Sequence, residues 1–316
     1  MKELVKIHKI EILVILEPRI SGNTALNVIK KLGFSKYHVV DANGFSGGLW
    51  MLWNENVSCI DIVAHSRQSI TALIKMSHID WLFTVVYVHP CPGIQSQLWI
   101  YLDGIASASN LPWMIAGDFN ELVDNSEKCG GNPISHRSGL VEWIDRNQLI
   151  DLGFIGAQFT WCRKNENDVL TWEKLDRGLS NIDWRHNFPK AFVRHLPRVK
   201  SDHCPLLISL QSSHLPCANV KPFRFQAMWL LHPTFQSFVV DKWANYTGNI
   251  LPKTQDLSKA LAVWNKDVFG CLFQNKKKLL AIIGGIQKAL CRRHSSFLVN
   301  LEKELASDYQ ALLDQE

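Results

Sequence analysis

The 316-residue chain lacks most of the features that would assign it at a glance. Its eight cysteines (59, 91, 129, 162, 204, 217, 271 and 291) make no Cys-x-x-Cys pair and no close group with histidine. That argues against a zinc ribbon or a disulfide framework and leaves reduced, mostly buried thiols. There is no long apolar run: Ile12 to Leu16 is closed off by Glu11 and Glu17, far short of the roughly 20 residues a bilayer span needs. The first residues, Met1 to His8, show no basic region followed by an apolar stretch and a small-residue cleavage site, so the chain reads as soluble and unsecreted. No Gly-x-x-x-x-Gly-Lys-Ser/Thr loop, Gly-x-Ser-x-Gly elbow or Gly-x-Gly-x-x-Gly fingerprint is present, which sets aside the nucleotide, hydrolase and dinucleotide chemistries those motifs serve. Nor is there a repeat at a 20 to 50 residue period or a low-complexity tract.

What is there is ordinary globular composition, 47% hydrophobic and 20% charged, which argues against a disordered chain. The net charge of +5 is unevenly placed: residues 1–212 hold 21 basic and 21 acidic side chains, residues 213–316 hold 13 and 8. Between Asp267 and Glu302 there is no acid at all, while Lys276, Lys277, Lys278, Lys288, Arg292 and Arg293 fall in that interval. Such a run suits a phosphate backbone, and equally a solvated helix face.

From Ile10 to about Leu210 short apolar stretches alternate with turn signals and helical patterns. The predicted strands are Ile12–Leu16, Val57–Ile62, Ile70–Lys75, Trp81–Val88, Trp113–Ala116 and Leu206–Leu210; the predicted helices are Asn23–Leu32 with Asn23 as a cap, Gln95–Ala108 and Ser138–Asn147. Strands and helices are interspersed, so residues 1–212 read as one mixed α and β domain with more than one strand layer. His214 to Pro222 reads as a connector. After it come apolar residues at helical spacing: Leu257, Leu261, Trp264, Val268, Leu272; then Leu279, Ile283, Ile286, Leu290; then Leu298, Leu301, Leu305, Tyr309, Leu312. Residues 213–316 are thus a basic helical extension, with Gly284-Gly285 expected to weaken or kink its middle helix.

Two strand-edge clusters carry candidate chemistry. In Met114-Ile115-Ala116-Gly117-Asp118-Phe119-Asn120 an apolar strand runs into Gly and then presents Asp118 and Asn120, which strand periodicity puts on one side. A carboxylate and a carboxamide so placed can position a water and bind a phosphate oxygen; the same residues also read as a turn in which Asp118 caps neighbouring amides. In Ser201-Asp202-His203-Cys204-Pro205 an acid and a titratable ring stand at the entrance of an apolar strand. Glu17 closes the strand Ile12–Leu16, and Asp176 could orient His203 through a ring N–H. The plainer readings are a surface acid before Pro18 for Glu17 and an ion pair with Arg177 or Lys174 for Asp176. Hard oxygen donors without a Cys/His cluster favour Mg²⁺ or Mn²⁺ over zinc, and such an ion with carboxylates and one histidine suits phosphodiester hydrolysis.

These residues, in this order, resemble the endonuclease/exonuclease/phosphatase family, and more narrowly the endonuclease region of plant LINE-type non-LTR retrotransposon polyproteins. The narrower resemblance rests on Ser46-Gly47-Gly48-Leu49-Trp50-Met51-Leu52-Trp53, Gly117-Asp118-Phe119-Asn120-Glu121, Glu127-Lys128-Cys129-Gly130-Gly131, Asp151-Leu152-Gly153-Phe154 and Phe159-Thr160-Trp161. It continues through Leu175-Asp176-Arg177, His195-Leu196-Pro197-Arg198, Ser201-Asp202-His203, Phe223-Arg224-Phe225, Met228-Trp229-Leu230, Trp264-Asn265 and Val268-Phe269-Gly270. The resemblance implies an α+β, four-layer sandwich of two packed sheets flanked by helices, followed by a helical connector toward a reverse transcriptase. It implies Glu17 and Asp202 on the metal side, Asp118 orienting the attacking water, Asn120 and Tyr87 on the scissile phosphate, and His203, held by Asp176, stabilising phosphorane charge. The expected reaction is nicking of DNA to leave a 3′-hydroxyl, with no small-molecule cofactor, no membrane and a nuclear location. Lys276, Lys277, Lys278, Arg292 and Arg293 are the candidate nucleic-acid contacts.

The chain departs from the family at three points. Met1–Lys9 lacks the Asn-bearing first strand, so the expectation is an N-terminally truncated domain; Glu-Thr-Lys at the metal Glu reads Glu17-Pro18-Arg19; and His89-Pro90 follow Tyr87-Val88 where many members have Asn. No Tyr-x-Asp-Asp polymerase signature occurs. A Mg²⁺-dependent endonuclease and a catalytically impaired remnant whose basic helices bind nucleic acid both remain open, with an inositol-phosphate or sphingolipid phosphodiesterase on the same fold disfavoured. Most of the twelve tryptophans, Trp50, Trp53, Trp161, Trp229 and Trp264 among them, are expected in cores rather than as base-stacking platforms.

Overall fold

A computed structural model describes residues 1–42, 47–55, 59–131, 139–164, 170–210, 229–230, 232–244, 250–268, 270–291 and 295–314. Ser46, the connector 214–222, the Phe223-Arg224-Phe225 motif, Met228, Phe269, Arg292 and Arg293 lie outside them. The chain divides into two units, Met1–Ser212 and Ser213–Glu316.

In the first unit β1 (Ile12–Leu16) and β2 (Lys36–Val40) flank β3 (Leu49–Trp53), all antiparallel, in the order β1-β3-β2. A six-stranded sheet runs β4 (Cys59–His65), β5 (Ser69–Lys75), β6 (Asp80–Tyr87), β7 (Trp113–Asp118), β12 (Asp176–Ser180), β9 (Ile150–Asp151). Only β6 and β7 are parallel in it, and the helix α3 (Pro92–Ala108) makes the crossover that a parallel pair requires. Two smaller sheets complete the unit: β10 (Trp161–Lys164), β11 (Leu170–Glu173), β8 (Lys128–Cys129), and the pair β13 (Phe192–His195), β14 (Leu206–Ser209).

Alternation along the strands sorts the side chains into layers. Leu49, Met51 and Trp53 of β3 meet Ile60, Ile70, Ala72, Ile74, Trp81, Phe83 and Val85 of the larger sheet in one core between the sheets. Trp50 and Leu52, pointing the other way, pack with Ala25 and Ile29 of α2 (Gly22–Leu32). The far face of the larger sheet is covered by Leu98, Trp99 and Leu102 of α3 and Leu140 and Trp143 of α4 (Gly139–Arg146). The result is helix, sheet, sheet, helix: an α+β four-layer sandwich.

The expected strand Ile12–Leu16 is observed with those bounds, and β5, β6 and β14 lie within a residue of expectation. Differences have local causes. The helix cap is Ser21 rather than Asn23, because Gly22, in the left-handed region, already turns the chain. The short helices α1 (Lys2–His8) and α5 (Ile182–Asn187) and the strands β2, β3 and β8 to β13 were not read from pattern: most are short or lack an alternating apolar face, and β3, buried at every position, shows no alternation at all.

In the second unit α6 (Phe235–Ala244), α7 (Ile250–Val268), α8 (Gly270–Leu290) and α9 (Ser296–Asp314) follow one another, and Trp229, Phe235, Leu261 and Trp264 form a core with Trp229 Nε1 donating to Asn265 Oδ1 at 2.8 Å. Two expectations change. The helix predicted to run on to Leu272 ends at Val268, and Gly284-Gly285 do not interrupt α8, whose buried Ile283, Ile286 and Leu290 hold it on either side of the pair. Among the described residues no helix is long and apolar enough to cross a membrane.

Candidate active site

Strand β7 delivers Asp118 because Gly117 lets it. Gly117 sits at φ +145, and a Cβ there would collide with the backbone of Val86 on the parallel neighbour β6. Across β7, antiparallel β12 sets Asp176 directly opposite Asp118. Both carboxylates are buried. Two like charges opposed across a sheet repel, so a countercharge is required.

His203 supplies it. Its Nδ1 lies 2.8 Å from Asp176 Oδ2, and its Nε2 lies 3.8 Å from Asp118 Oδ2. The loop that carries it is stitched to β10: Cys162 N donates to Asp202 O, Trp161 and His203 form a bridge, and Cys204 N donates to Thr160 O at 2.7 Å. Thr160, fully buried, accepts from both Leu175 N and Asp176 N at 3.0 Å, fixing the start of β12. Burial of the ring disfavours its charge, but the Asp176 hydrogen bond and the charges of Asp176, Asp118 and Asp202 outweigh it and raise His203 to about 9. Asp118 is pushed up to about 7, first by burial and then by Asp176, with His203 opposing the rise.

Asn120 takes the turn reading of its motif, in which Asp118 accepts from neighbouring amides, rather than the phosphate-binding one. At φ +48 it leaves the strand, its backbone N–H donates to Asp118 Oδ1 at 2.9 Å, and its Nδ2 donates to Asp118 Oδ2 at 3.1 Å and Val88 O at 2.7 Å. It therefore positions Asp118, with both amide hydrogens directed at protein acceptors.

Glu17 stands beside this centre. Its N–H donates to Gly48 O at 3.0 Å, its carboxylate pairs with the exposed Arg19 guanidinium at 3.0 Å and accepts a hydrogen bond from the Tyr87 hydroxyl, and its charge is felt at Asp118. Tyr87, paired with Asp118 across β6 and β7, has its hydroxyl pushed above the ordinary phenol range by burial and then by Glu17. Glu17 and Arg19, on either side of Pro18, both adopt left-handed backbone, a strained arrangement for non-glycine residues. Gly48 permits it, since its missing Cβ leaves room for the Pro18 ring. Asp202 is exposed and accepts from Trp161 Nε1 at 3.2 Å.

Lys174 and Arg177, the plainer partners for Asp176, are engaged elsewhere. Arg177, 1% exposed, donates to Glu127 at 2.8 and 3.0 Å and lies 3.4 Å from Asp151; Lys174 reaches the same two acids at 3.0 and 3.1 Å. That network frees Asp176 for His203. Thr160, Trp161, Arg19 and Glu127 were missed as supporting residues; Thr160, Trp161 and Glu127 did lie in motifs, but their type and spacing carry no signal of these bonds. Of the basic run, Lys277 and Lys278 are exposed and Lys276 is buried, so Lys276 offers no open phosphate contact.

One ligand atom each from Asp118, Asp176 and His203 lies within 4.8 Å of the others, a grouping that could hold a metal ion. In the metal-free chain His203 is hydrogen-bonded to Asp176 and raised above its ordinary range, so the same centre also suits a proton-bearing relay. The Glu17 carboxylate is different: partly exposed and compensated by an exposed guanidinium, it is an oxygen donor with a cation already drawn to it. That donor chemistry fits a hard divalent ion.

No protein-family profile matches the chain, and no curated protein matches its sequence. Solved structures are similar to it. The endonuclease domain of TRAS1, a telomere-specific non-LTR retrotransposon, is 13% identical with a TM-score of 0.48, over 67% of this chain and 92% of that one. The 3′ phosphatase NExo from Neisseria, solved with a product DNA hairpin, is 16% identical at 0.48, over 66% and 91%. An AP endonuclease from Archaeoglobus fulgidus is 14% identical at 0.48, over 66% and 92%.

Proposed function

We propose that the chain is a divalent-metal-dependent phosphodiester hydrolase, a DNA endonuclease of the endonuclease/exonuclease/phosphatase family and of non-LTR retrotransposon origin. The observation that carries the reading is His203 set between two buried carboxylates, hydrogen-bonded to Asp176 and facing Asp118. The origin is supported by the ordered motifs of the sequence.

In this reading Asp118, poised near neutrality and oriented by Asn120, takes the proton of the attacking water. His203, kept cationic by Asp176, faces the charge that grows on the phosphoryl oxygens. The Tyr87 hydroxyl donates to a phosphate oxygen. Glu17, with Asp202, would hold Mg²⁺ or Mn²⁺, which when bound neutralises charge on the phosphoryl and leaving oxygens. Lys277 and Lys278 would add sequence-independent contacts to a nucleic-acid backbone.

A second reading, a chain that binds nucleic acid without cutting it, is favoured by the Glu17–Arg19 ion pair, which competes for the carboxylate a metal would use. Supercoiled plasmid incubated with the full chain and Mg²⁺ or Mn²⁺ separates the two. Nicking by the wild type that falls at least about 10²-fold in Asp118→Asn supports the enzyme. Equal nicking by both, or none by either, overturns it.

A further inference from the structure

On β4, three strands across the larger sheet from the β7 that carries Asp118, a histidine meets one from the smaller sheet. His38 of β2 pairs with Met51 of β3, and its neighbour Val40 packs in the core between the sheets, so alternation points His38 into that layer. His65, at the end of β4, would point the opposite way if β4 were regular, because Ile60 and Ile62 already occupy the core-facing positions. A β-bulge between Ile62 and Ala64 shifts the register, leaves Val63 as the extra residue, and pairs His65 with the core residue Ile70. The bulge thereby re-aims His65 toward His38, which is the use bulges have beside functional positions. The ring centroids lie 4.9 Å apart at 48°. His38 Nε2 is buried and has no hydrogen-bond partner, although a buried ring nitrogen is costly to leave unmatched.

We propose that His38 and His65 form a two-histidine site for a borderline divalent transition-metal ion, of the zinc, nickel and copper(II) class, bridging the two sheets. Two imidazoles bound to one ion at about 2.0–2.1 Å, with an angle near 100° at the metal, place their centroids about 5 Å apart. Imidazole nitrogen suits this class of ion and not Mg²⁺ or Mn²⁺, so the site would be chemically separate from the carboxylates near Asp118. Among the described residues no third His, Cys, Asp or Glu joins the pair in a three-residue group, so water would complete the coordination and leave an open position.

Titration of the full chain with Ni²⁺ by isothermal calorimetry, in buffer holding excess Mg²⁺ to occupy the carboxylates, tests this. Nickel is chosen because the exposed thiols of Cys59, Cys91 and Cys129 would compete more strongly for zinc. The expected result is one ion bound per chain, weakened more than about ten-fold by His65→Ala and by His38→Asn separately, with the double variant no weaker than either, because one imidazole cannot chelate. His65 is exposed, so its variant keeps the fold, to be confirmed by an unchanged far-ultraviolet spectrum. An isotherm unchanged by His65→Ala, or no nickel binding by the wild type, returns the pair to ring packing at the sheet edge. Neither outcome bears on plasmid nicking, which is measured in Mg²⁺.

Discussion

Asp118 and Asp176 stand directly opposite each other on antiparallel strands, both buried, with the ring of His203 as the cation between them. The pairing explains why each sequence cluster was informative only in part. The ring compensates the two buried carboxylates, and they, with Asp202, raise it against the burial that disfavours its charge.

The first prediction concerns that charge. Asp176→Asn removes the hydrogen-bonded anion but leaves the burial that disfavours protonation. In metal-free protein the His203 titration, followed by NMR of the ring protons, should fall from about 9 toward or below the ordinary 6.5. Nicking should drop roughly 10²-fold or more, most severely at alkaline pH where the variant ring is neutral. A His203 titration unmoved by the substitution would refute the assigned hydrogen bond.

The same groups set a direction for stability. His203 binds its proton more tightly folded than unfolded, so its contribution is complete below 6.5 and lost as pH rises through about 9. Asp118, raised from 3.8 to about 7, acts in the same sense: its contribution is complete below 3.8 and lost as pH rises through about 7. His8, His38 and His195, held below the ordinary range chiefly by burial, act in the opposite sense up to about 6.5. In metal-free buffer, urea stability should therefore decline between pH 7 and 9, and the Asp118 share should show as a difference between wild type and Asp118→Asn that shifts against the wild type as pH rises from 5 to 7. Stability that rises between pH 7 and 9 would contradict the raised His203 value.

How much of this was legible beforehand follows from where the information sits. The apolar strands Ile12–Leu16, Ser69–Lys75 and Asp80–Tyr87 announce themselves because one face must be apolar along its length. The helices of the second unit do so through spacing. β12 does not, because Asp176, Arg177 and Ser180 are buried polar residues whose partners lie far away in sequence. Asp118, Asp176 and His203 could be nominated by type and position at strand ends. That Arg177 would turn to Glu127 and leave Asp176 for His203 depends on a contact 50 residues long in sequence, which no local pattern encodes.

Gly117→Ala is the sharpest test of the backbone. The strained φ and the clash with Val86 act together, and the neighbour is backbone in a central strand that cannot retreat. A loss of about 3 kcal/mol or more in urea denaturation, or failure to fold, is expected, against about 0.5 kcal/mol or less for a surface substitution. A variant as stable as the wild type would mean that β7 does not approach β6 as described.

Glu127→Gln tests the buried network. It leaves the Arg177 guanidinium, 1% exposed, and the Lys174 ammonium with only Asp151 as a carboxylate partner, so a loss of about 3–5 kcal/mol is expected. Burial alone would raise the Glu127 carboxyl, but Arg177 and then Lys174 hold it below its ordinary range. Its contribution is therefore present above the unfolded value and lost as pH falls through the folded one. The variant should lose stability at neutral pH while the gap to wild type narrows in acid. A gap that widens in acid would reverse the assigned direction.

In the basic run, burial separates residues that composition treats alike. Lys277→Glu with Lys278→Glu alters an exposed surface, so the fold should persist while the slope of log affinity for duplex DNA against log salt falls by up to about 2. Lys276→Glu places a carboxylate where the chain is 3% exposed. It should reduce helicity or melting temperature before it changes any DNA contact, because a buried charge substituted without its matching partner costs several kcal/mol. Circular dichroism alongside filter binding at several salt concentrations distinguishes the two effects. If the exposed pair leaves the salt slope unchanged, that face of α8 is solvated surface, and the phosphate contacts proposed for it do not exist.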